Sequence, residues 1–353
     1  MKKFILICFL IFSQACLACT GFGIITDNGT ILGRNRDYYY SPQKFELMYP
    51  IQQFNNWYEN NYGHNNKFYA LTSKNNVSMG VNQNGLTIIE EDSPLPANAK
   101  INRRYQQPEN GTAEGMIKYG ILQNFNTIDE MISFIPKIFS VADPHFYQIA
   151  DAKKILIVEV AYGENDADQK RKYSIKVFSK NNEYFAHTNL YLTPEFISLN
   201  NIRKNPDFTN SAKNRLQKIT DLISNSKEKH IEIAAKWLIN TSSNVSTDKD
   251  KYGCLNTSLF RSDLQGLKSV YISKGNDKIY GTVSSMVVNN NGDLNKSPFY
   301  LIMIDSITTN SNNKQLIKYK ELRTTLADLF GKQKPLFVER ELIRNPPING
   351  ICA

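Results

Sequence analysis

The chain has 353 residues, 42 Lys and Arg against 33 Asp and Glu for a formal charge of +9, and 41% hydrophobic residues. That length can bury a substantial core in one large domain or two small ones. The basic residues are scattered among acidic ones in short groups such as 170–172 (KRK), which excludes the clustered stripe of a nucleic-acid binder. The four histidines, His64, His145, His187 and His230, stand at no Cys/His metal spacing, so no metal site and no cofactor are expected.

The chain begins with Lys2 and Lys3, an apolar run from Phe4 to Phe12, and the small or polar residues Ser13 to Ala18. This is the pattern of a cleavable export signal. The apolar run is too short to cross a bilayer, which takes about 20 residues. Cys16 and Ala18 stand at −3 and −1 of a cut before Cys19, the size pattern a signal peptidase accepts. Cleavage there divides the chain into a signal, 1–18, and a mature segment, 19–353, whose charge is two units lower because Lys2 and Lys3 leave. The rival reading is a lipoprotein lipidated on Cys19, although Cys16 replaces the Leu-like residue such signals carry at −3. Lipidation blocks thiol and amine, so the two readings exclude each other. No later stretch is long and apolar enough for a membrane span, and the product is expected in the periplasm or secreted. Of five cysteines, Cys8 and Cys16 leave with the signal. Cys254 and Cys352 are expected either to pair, tethering the tail, or to be reduced and buried.

Residues 20–26 and 30–34 read as strands around the turn Asp27-Asn28-Gly29, and 77–81 and 86–90 as strands around Asn82-Gln83-Asn84-Gly85. Helices are expected over 112–123 and 128–139, the second opened by a capping box of Thr127 and Glu130. Strands follow over 146–149, 155–161, 173–178 and 184–187, then helices over 212–224 and 229–239. Late strands are expected over 270–273, 281–288 and 299–304, and a last helix over 314–329. Strands and helices come in blocks, which argues an α+β fold, with one domain over 19–353 as the simplest account. The Asn-rich segment 54–66 and the polar run 241–253 read as surface loops.

Cys19 carries the chemistry. A thiol with pKa near 8.5 is mostly protonated at neutral pH and needs a base before it can attack a carbonyl carbon. An α-amine freed on the same residue, with pKa about 7.7 to 8.0, can be that base. After the first hairpin comes GRNRD, residues 33–37, in which Arg34 and Arg36 share one strand face and Asn35 and Asp37 the other. An arginine beside the sulfur favours thiolate, and an aspartate near the amine orients it.

The run CTGFGIITDNGTILGRNRD, residues 19–37, resembles the start of the linear amide C–N hydrolases, which include choloylglycine (bile salt) hydrolase and penicillin V acylase and are related to isopenicillin-type acyltransferases and acid ceramidase-like amidases. The resemblance implies an N-terminal-nucleophile fold, an αββα sandwich of two antiparallel sheets between helical layers. It implies Cys19 as nucleophile, Arg34 as charge partner of the sulfur and Asp37 as acceptor for the amine. The family's G-x-N-E-x-G-L hairpin resembles residues 80–86, and its T-N motif resembles Thr188-Asn189. Asn189 would then donate to the developing oxyanion, a role typically worth about 3 to 4 kcal/mol. A helix-borne arginine resembles Arg215. The implied substrate is a small N-acyl amide, and relatives often assemble into oligomers.

One departure stands out. Where the bile salt enzymes carry an oxyanion-hole asparagine, this chain has Asp92, preceded by Glu90 and Glu91. An ionised carboxylate cannot donate, so only the backbone N–H of Asp92 could serve there. The acidic trio would favour a cationic substrate group, or Glu90 and Glu91 would sit on a solvated strand end. A papain-like pairing of His187 with Cys254 is a competing constellation. Beyond hydrolysis, the sequence leaves open acyl transfer on the same scaffold and an exported binding protein whose chemistry has been lost.

Overall fold

The computed structural model describes residues 19–39, 41–51, 63–73, 76–95, 113–163, 171–202, 206–243, 271–272, 279–309, 315–331 and 334–344. Strands β1 (Thr20–Thr26) and β2 (Gly29–Tyr39) form the first hairpin, in register from Thr20↔Asn35 to Thr26↔Gly29. Gly29 adopts φ +93°, and a Cβ there would lie 2.1 Å from the Asn290 carbonyl oxygen. Glycine alone satisfies both the turn and that close approach.

Seven strands form a sequential antiparallel meander: β3 (Lys44–Met48), β4 (Phe68–Ser73), β5 (Asn76–Asn82), β6 (Thr87–Asp92), β7 (His145–Ala150), β8 (Ile155–Val160) and β9 (Tyr173–Phe178). The second sheet runs β10 (Tyr184–His187), β1, β2, β12 (Ile279–Asn290), β13 (Pro298–Thr309), β14 (Gln315–Thr325), β15 (Val338–Arg344), with β11 (Tyr271–Ile272) paired to β12. β1 therefore lies inside its sheet, flanked by β10 and β2.

Side-chain alternation decides how these sheets stack. Leu71, Met79 and Ile89 of the meander meet Leu32, Met286 and Leu301 of the second sheet in a shared buried core. The opposite face of the meander, with Phe68, Ile88 and Tyr147, is covered by α1 (Ala113–Asn124), α2 (Ile128–Ile132) and α3 (Ile135–Phe139). The outer face of the second sheet, with Phe22, Ile24 and Val287, is covered by α4 (Pro206–Ser224) and α5 (Ile231–Ser243). The result is the expected αββα order of layers.

Several element boundaries differ from the sequence expectation. Residues 314–329 are not a helix: β14 occupies Gln315–Thr325, and only the single turn α6 (Leu326–Leu329) follows. Lys, Glu, Leu and Arg favour helix by propensity, but Ile317 and Tyr319 are buried while Lys318 is exposed. That period of two pairs with β13 on one side and β15 on the other. The helix over 128–139 is split into α2 and α3, since Pro136 opens α3 and has no N–H to continue the preceding turn. Thr127 Oγ1 caps α2 by accepting the Glu130 N–H at 3.3 Å, and Glu130 reaches back to the Asn126 N–H at 2.8 Å. β3, β4 and β15 are additional to the strands assigned from sequence. Cys254, Cys352, residues 54–62 and residues 244–253 lie outside the described residues, and with them the expected disulfide.

Candidate active site

Cys19 immediately precedes β1 and is 1% exposed. Parity along β1 sends Cys19, Gly21 and Ile25 into the layer between the sheets and Thr20 toward the helices. Gly21 leaves room for what it faces: a Cβ there would lie 2.5 Å from both Gln148 Oε1 and Glu91 Oε1, so those side chains would have to shift.

Arg34, opposite Gly21 on β2, donates from Nη2 to Cys19 Sγ at 3.3 Å and from Nη1 to the Ser78 carbonyl of β5 at 3.0 Å. The guanidinium thus joins the two sheets at the sulfur. Burial works against its charge, but Cys19, Glu90 and Glu91 hold it protonated. Burial also pushes the Cys19 thiol up to about 11, and Arg34 opposes that rise only in part. A thiol of that acidity is protonated at neutral pH, so attack demands a base.

Asp37 lies on the opposite face of β2, buried, and accepts from Thr282 Oγ1 at 2.5 Å. Burial pushes its carboxyl up to about 6, with Arg215 and Thr282 pulling it back. The Asp37 backbone carbonyl lies 4.0 Å from Cys19 Sγ. The alternation expected of GRNRD is therefore present: Arg34 reaches the sulfur from the inter-sheet side, and Asp37 faces the helical side.

Arg215 of α4 is 1% exposed. Its Nη1 donates to the Cys19 carbonyl oxygen and to Thr20 Oγ1 at 2.8 Å, and its Nη2 to Asn189 Oδ1 at 3.1 Å. Because arginine can only donate, the oxygen of the Asn189 amide must face it and the nitrogen must point away. That nitrogen donates to the Asp92 carbonyl at 2.9 Å and carries a second N–H. Asp92 ends β6, with its carboxylate 3.5 Å from His145 Nδ1 and partly exposed. All six residues singled out from sequence, Cys19, Arg34, Asp37, Asp92, Asn189 and Arg215, converge on the start of β1.

Other expectations are corrected. Glu90 and Glu91 are buried and not on a solvated strand end. Glu90 is buried against Lys118 of α1, and Glu91 Oε2 lies 2.8 Å from His187 Nδ1. The two ring nitrogens of His187 face Glu91 and Glu159, and Cys254, its partner in the competing constellation, lies outside the described residues. The Asn82 hairpin is structural: Asn82 Oδ1 accepts from the N–H groups of Asn84 and Leu86 at 3.0 Å, and Nδ2 donates to the carbonyls of Leu122 at 3.0 Å and Phe125 at 2.7 Å. Sequence reasoning missed Thr20, Thr282, Lys118 and Glu159 as neighbours of the site. The available signal was a lone charge in an apolar element, Glu159 in ILIVEV and Lys118 in MIKYGIL. Among the described residues no His, Cys, Asp and Glu group is arranged to hold a metal ion, and no helix is long and apolar enough to cross a membrane.

A family model described as acyl-coenzyme A:6-aminopenicillanic acid acyl-transferase matches residues 24–271. Among solved structures, penicillin V acylase from Agrobacterium tumefaciens is 14% identical, covering 80% of this chain and 82% of its own, at a TM-score of 0.44. A variant of conjugated bile acid hydrolase from Clostridium perfringens is 14% identical over 94% of this chain and 99% of its own, at 0.45. The N-acylethanolamine-hydrolyzing acid amidase ortholog of Caenorhabditis elegans is 13% identical over 78% and 94%, at 0.39. No curated protein matches the chain.

Proposed function

Since the chain belongs to the acyl-coenzyme A:6-aminopenicillanic acid acyl-transferase family, we propose that it is an exported amidase that hydrolyses small linear N-acyl amides with Cys19 as an N-terminal nucleophile. Removal of 1–18 frees the Cys19 amine. That amine takes the Sγ proton, the sulfur attacks the amide carbonyl carbon, and the second Asn189 N–H holds the resulting oxyanion. The amine then passes the proton to the leaving nitrogen, the C–N bond breaks, and a thioester remains. Water, deprotonated by the same amine, attacks the thioester and releases the carboxylic acid and the thiol.

Each surrounding group has a task in this scheme. Arg34 offsets part of the cost of a buried thiolate. Asp37 accepts from the amine and holds it near the sulfur. Arg215 anchors the Cys19 carbonyl and the oxygen end of Asn189, and Asp92 acts through its backbone carbonyl on the nitrogen end. Base and nucleophile on one residue remove much of the entropic barrier to the first step. The observation that carries the reading is the 3.3 Å contact of a buried guanidinium with the sulfur, backed by the Arg215–Asn189–Asp92 chain.

A panel of N-acyl amides tests it. Turnover is expected to fall at least about 1,000-fold in Cys19→Ala, and full retained turnover would remove the nucleophile from the scheme. The family description favours a second reading, acyl transfer. Adding a free amine nucleophile to the assay separates them: the thioester partitions to acid in an amidase and to the new amide in a transferase.

A further inference from the structure

Most of the layer between the sheets is apolar, yet near Cys19 it holds Glu91, His187 and Glu159, with exposures of 0%, 0% and 4%. Burying charges costs several kcal/mol per ion unless their geometry and partners are good. The geometry here is well defined. His187 Nδ1 lies 2.8 Å from Glu91 Oε2 and 2.6 Å from the Thr188 carbonyl, and Nε2 lies 3.2 Å from Glu159 Oε1. With acceptors at both nitrogens the ring must carry two protons, as imidazolium. The Phe146 ring packs on it at 4.5 Å between centroids. Glu159 also accepts the N–H groups of Leu192 at 2.9 Å and Thr193 at 3.1 Å. One imidazolium therefore joins the ends of β6, β8 and β10.

What these bonds hold is specific. Glu91 directly precedes Asp92, whose carbonyl takes the Asn189 amide, and His187 lies two residues before Asn189 itself. The backbone of Asn189 and its acceptor are thus both tied to the same ring. We infer that the Glu91–His187–Glu159 cluster is a positioning device that aims the Asn189 amide at the reaction centre. This rests on the proposed role of Cys19 and Asn189 and adds to it the residues that set the donor's direction.

Two probes of the mature full-length protein separate aim from mere integrity. p-Nitrophenyl acetate acylates a thiol through an oxyanion, whereas iodoacetamide alkylates the same thiol without one. His187→Gln is expected to slow acylation about 10- to 100-fold while leaving alkylation within about threefold. Asn189→Ala should do the same, and the double variant should lose no more than the worse single, because both act on one donor. Glu159→Gln, which keeps the side-chain volume, should show the same selectivity at a smaller size and decides the matter if His187→Gln does not fold. Equal losses in both reactions, losses that multiply in the double variant, or failure of every cluster variant to fold would overturn the inference. Absence of Cys19 labelling by either probe in the unsubstituted protein would instead overturn the nucleophile itself.

Discussion

The two ends of the layer between the sheets are built on opposite principles. At one end Ile155, Val288, Phe299 and Leu326 fill the space with buried hydrocarbon, and Phe299 stacks on Phe45 at 5.5 Å between ring centroids. At the other, Cys19, Arg34, Glu91, Glu159 and His187 are buried with charges matched by named partners. Non-directional burial gives stability without caring where one atom sits to within a fraction of an ångström. Charge-assisted hydrogen bonds add less net stability but specify direction. The apolar end therefore supports the sandwich, and the polar end aims groups within it.

Substitutions should separate these roles. The largest effect is expected from Phe299→Ala, which leaves a cavity in the apolar end and should lower the unfolding free energy by about 3 to 5 kcal/mol. Denaturant titration reads that loss, while iodoacetamide alkylation of Cys19 in the folded fraction should stay within about twofold. A parallel loss of alkylation would break the division between the ends. Next, Arg34→Met keeps the length of the side chain but removes the charge at the sulfur. Alkylation is expected to slow about 100-fold at neutral pH, because the buried thiolate loses its counter-ion. An unchanged rate would show that the 3.3 Å contact does not influence the thiol.

The smallest effect is a slope in stability with pH. Burial opposes the His187 charge, but Glu159 and Glu91 outweigh it and raise the ring to about 9 from 6.5. A raised folded value means stability present in full below pH 6.5 and lost as pH rises through about 9. Between pH 6.5 and 8 the loss should be about 1 to 2 kcal/mol. Asp37, raised to about 6, titrates below that window and Cys19, at about 11, above it. Arg34 stays charged throughout, and Tyr191 beside Glu159, raised to about 12, stays neutral. Chemical denaturation at the two pH values should show the slope in the unsubstituted protein and a smaller one in His187→Gln. Equal slopes would mean that the ring does not carry the charge.

Legibility followed sequence distance. The hairpin around Asp27 to Gly29 and the faces of Arg34 and Asp37 are local patterns, and each has its counterpart in the structure. Asn189 and Arg215 came from a family resemblance, not from spacing, and their meeting at 3.1 Å depends on α4 covering β10 and β1. The Glu91–His187–Glu159 cluster could not be read in this way. Its members lie 96 and 28 residues apart and meet only after the sheets stack. Glu90 and Glu91 looked like a solvated pair because nothing adjacent to them in sequence reveals Lys118 or His187 as partners. β14 was mistaken for helix because its Lys, Glu and Leu content outweighed a period of two that only the flanking strands make decisive.

The proposed nucleophile requires that the mature chain start at Cys19, and peptide mapping of the purified mature protein after iodoacetamide treatment tests this directly. The expected result is an N-terminal tryptic peptide spanning Cys19 to Arg34 with an unblocked amine and one alkyl group on its sulfur. A mature chain that starts at any other residue, or a fatty-acid mass increment on Cys19, would contradict it.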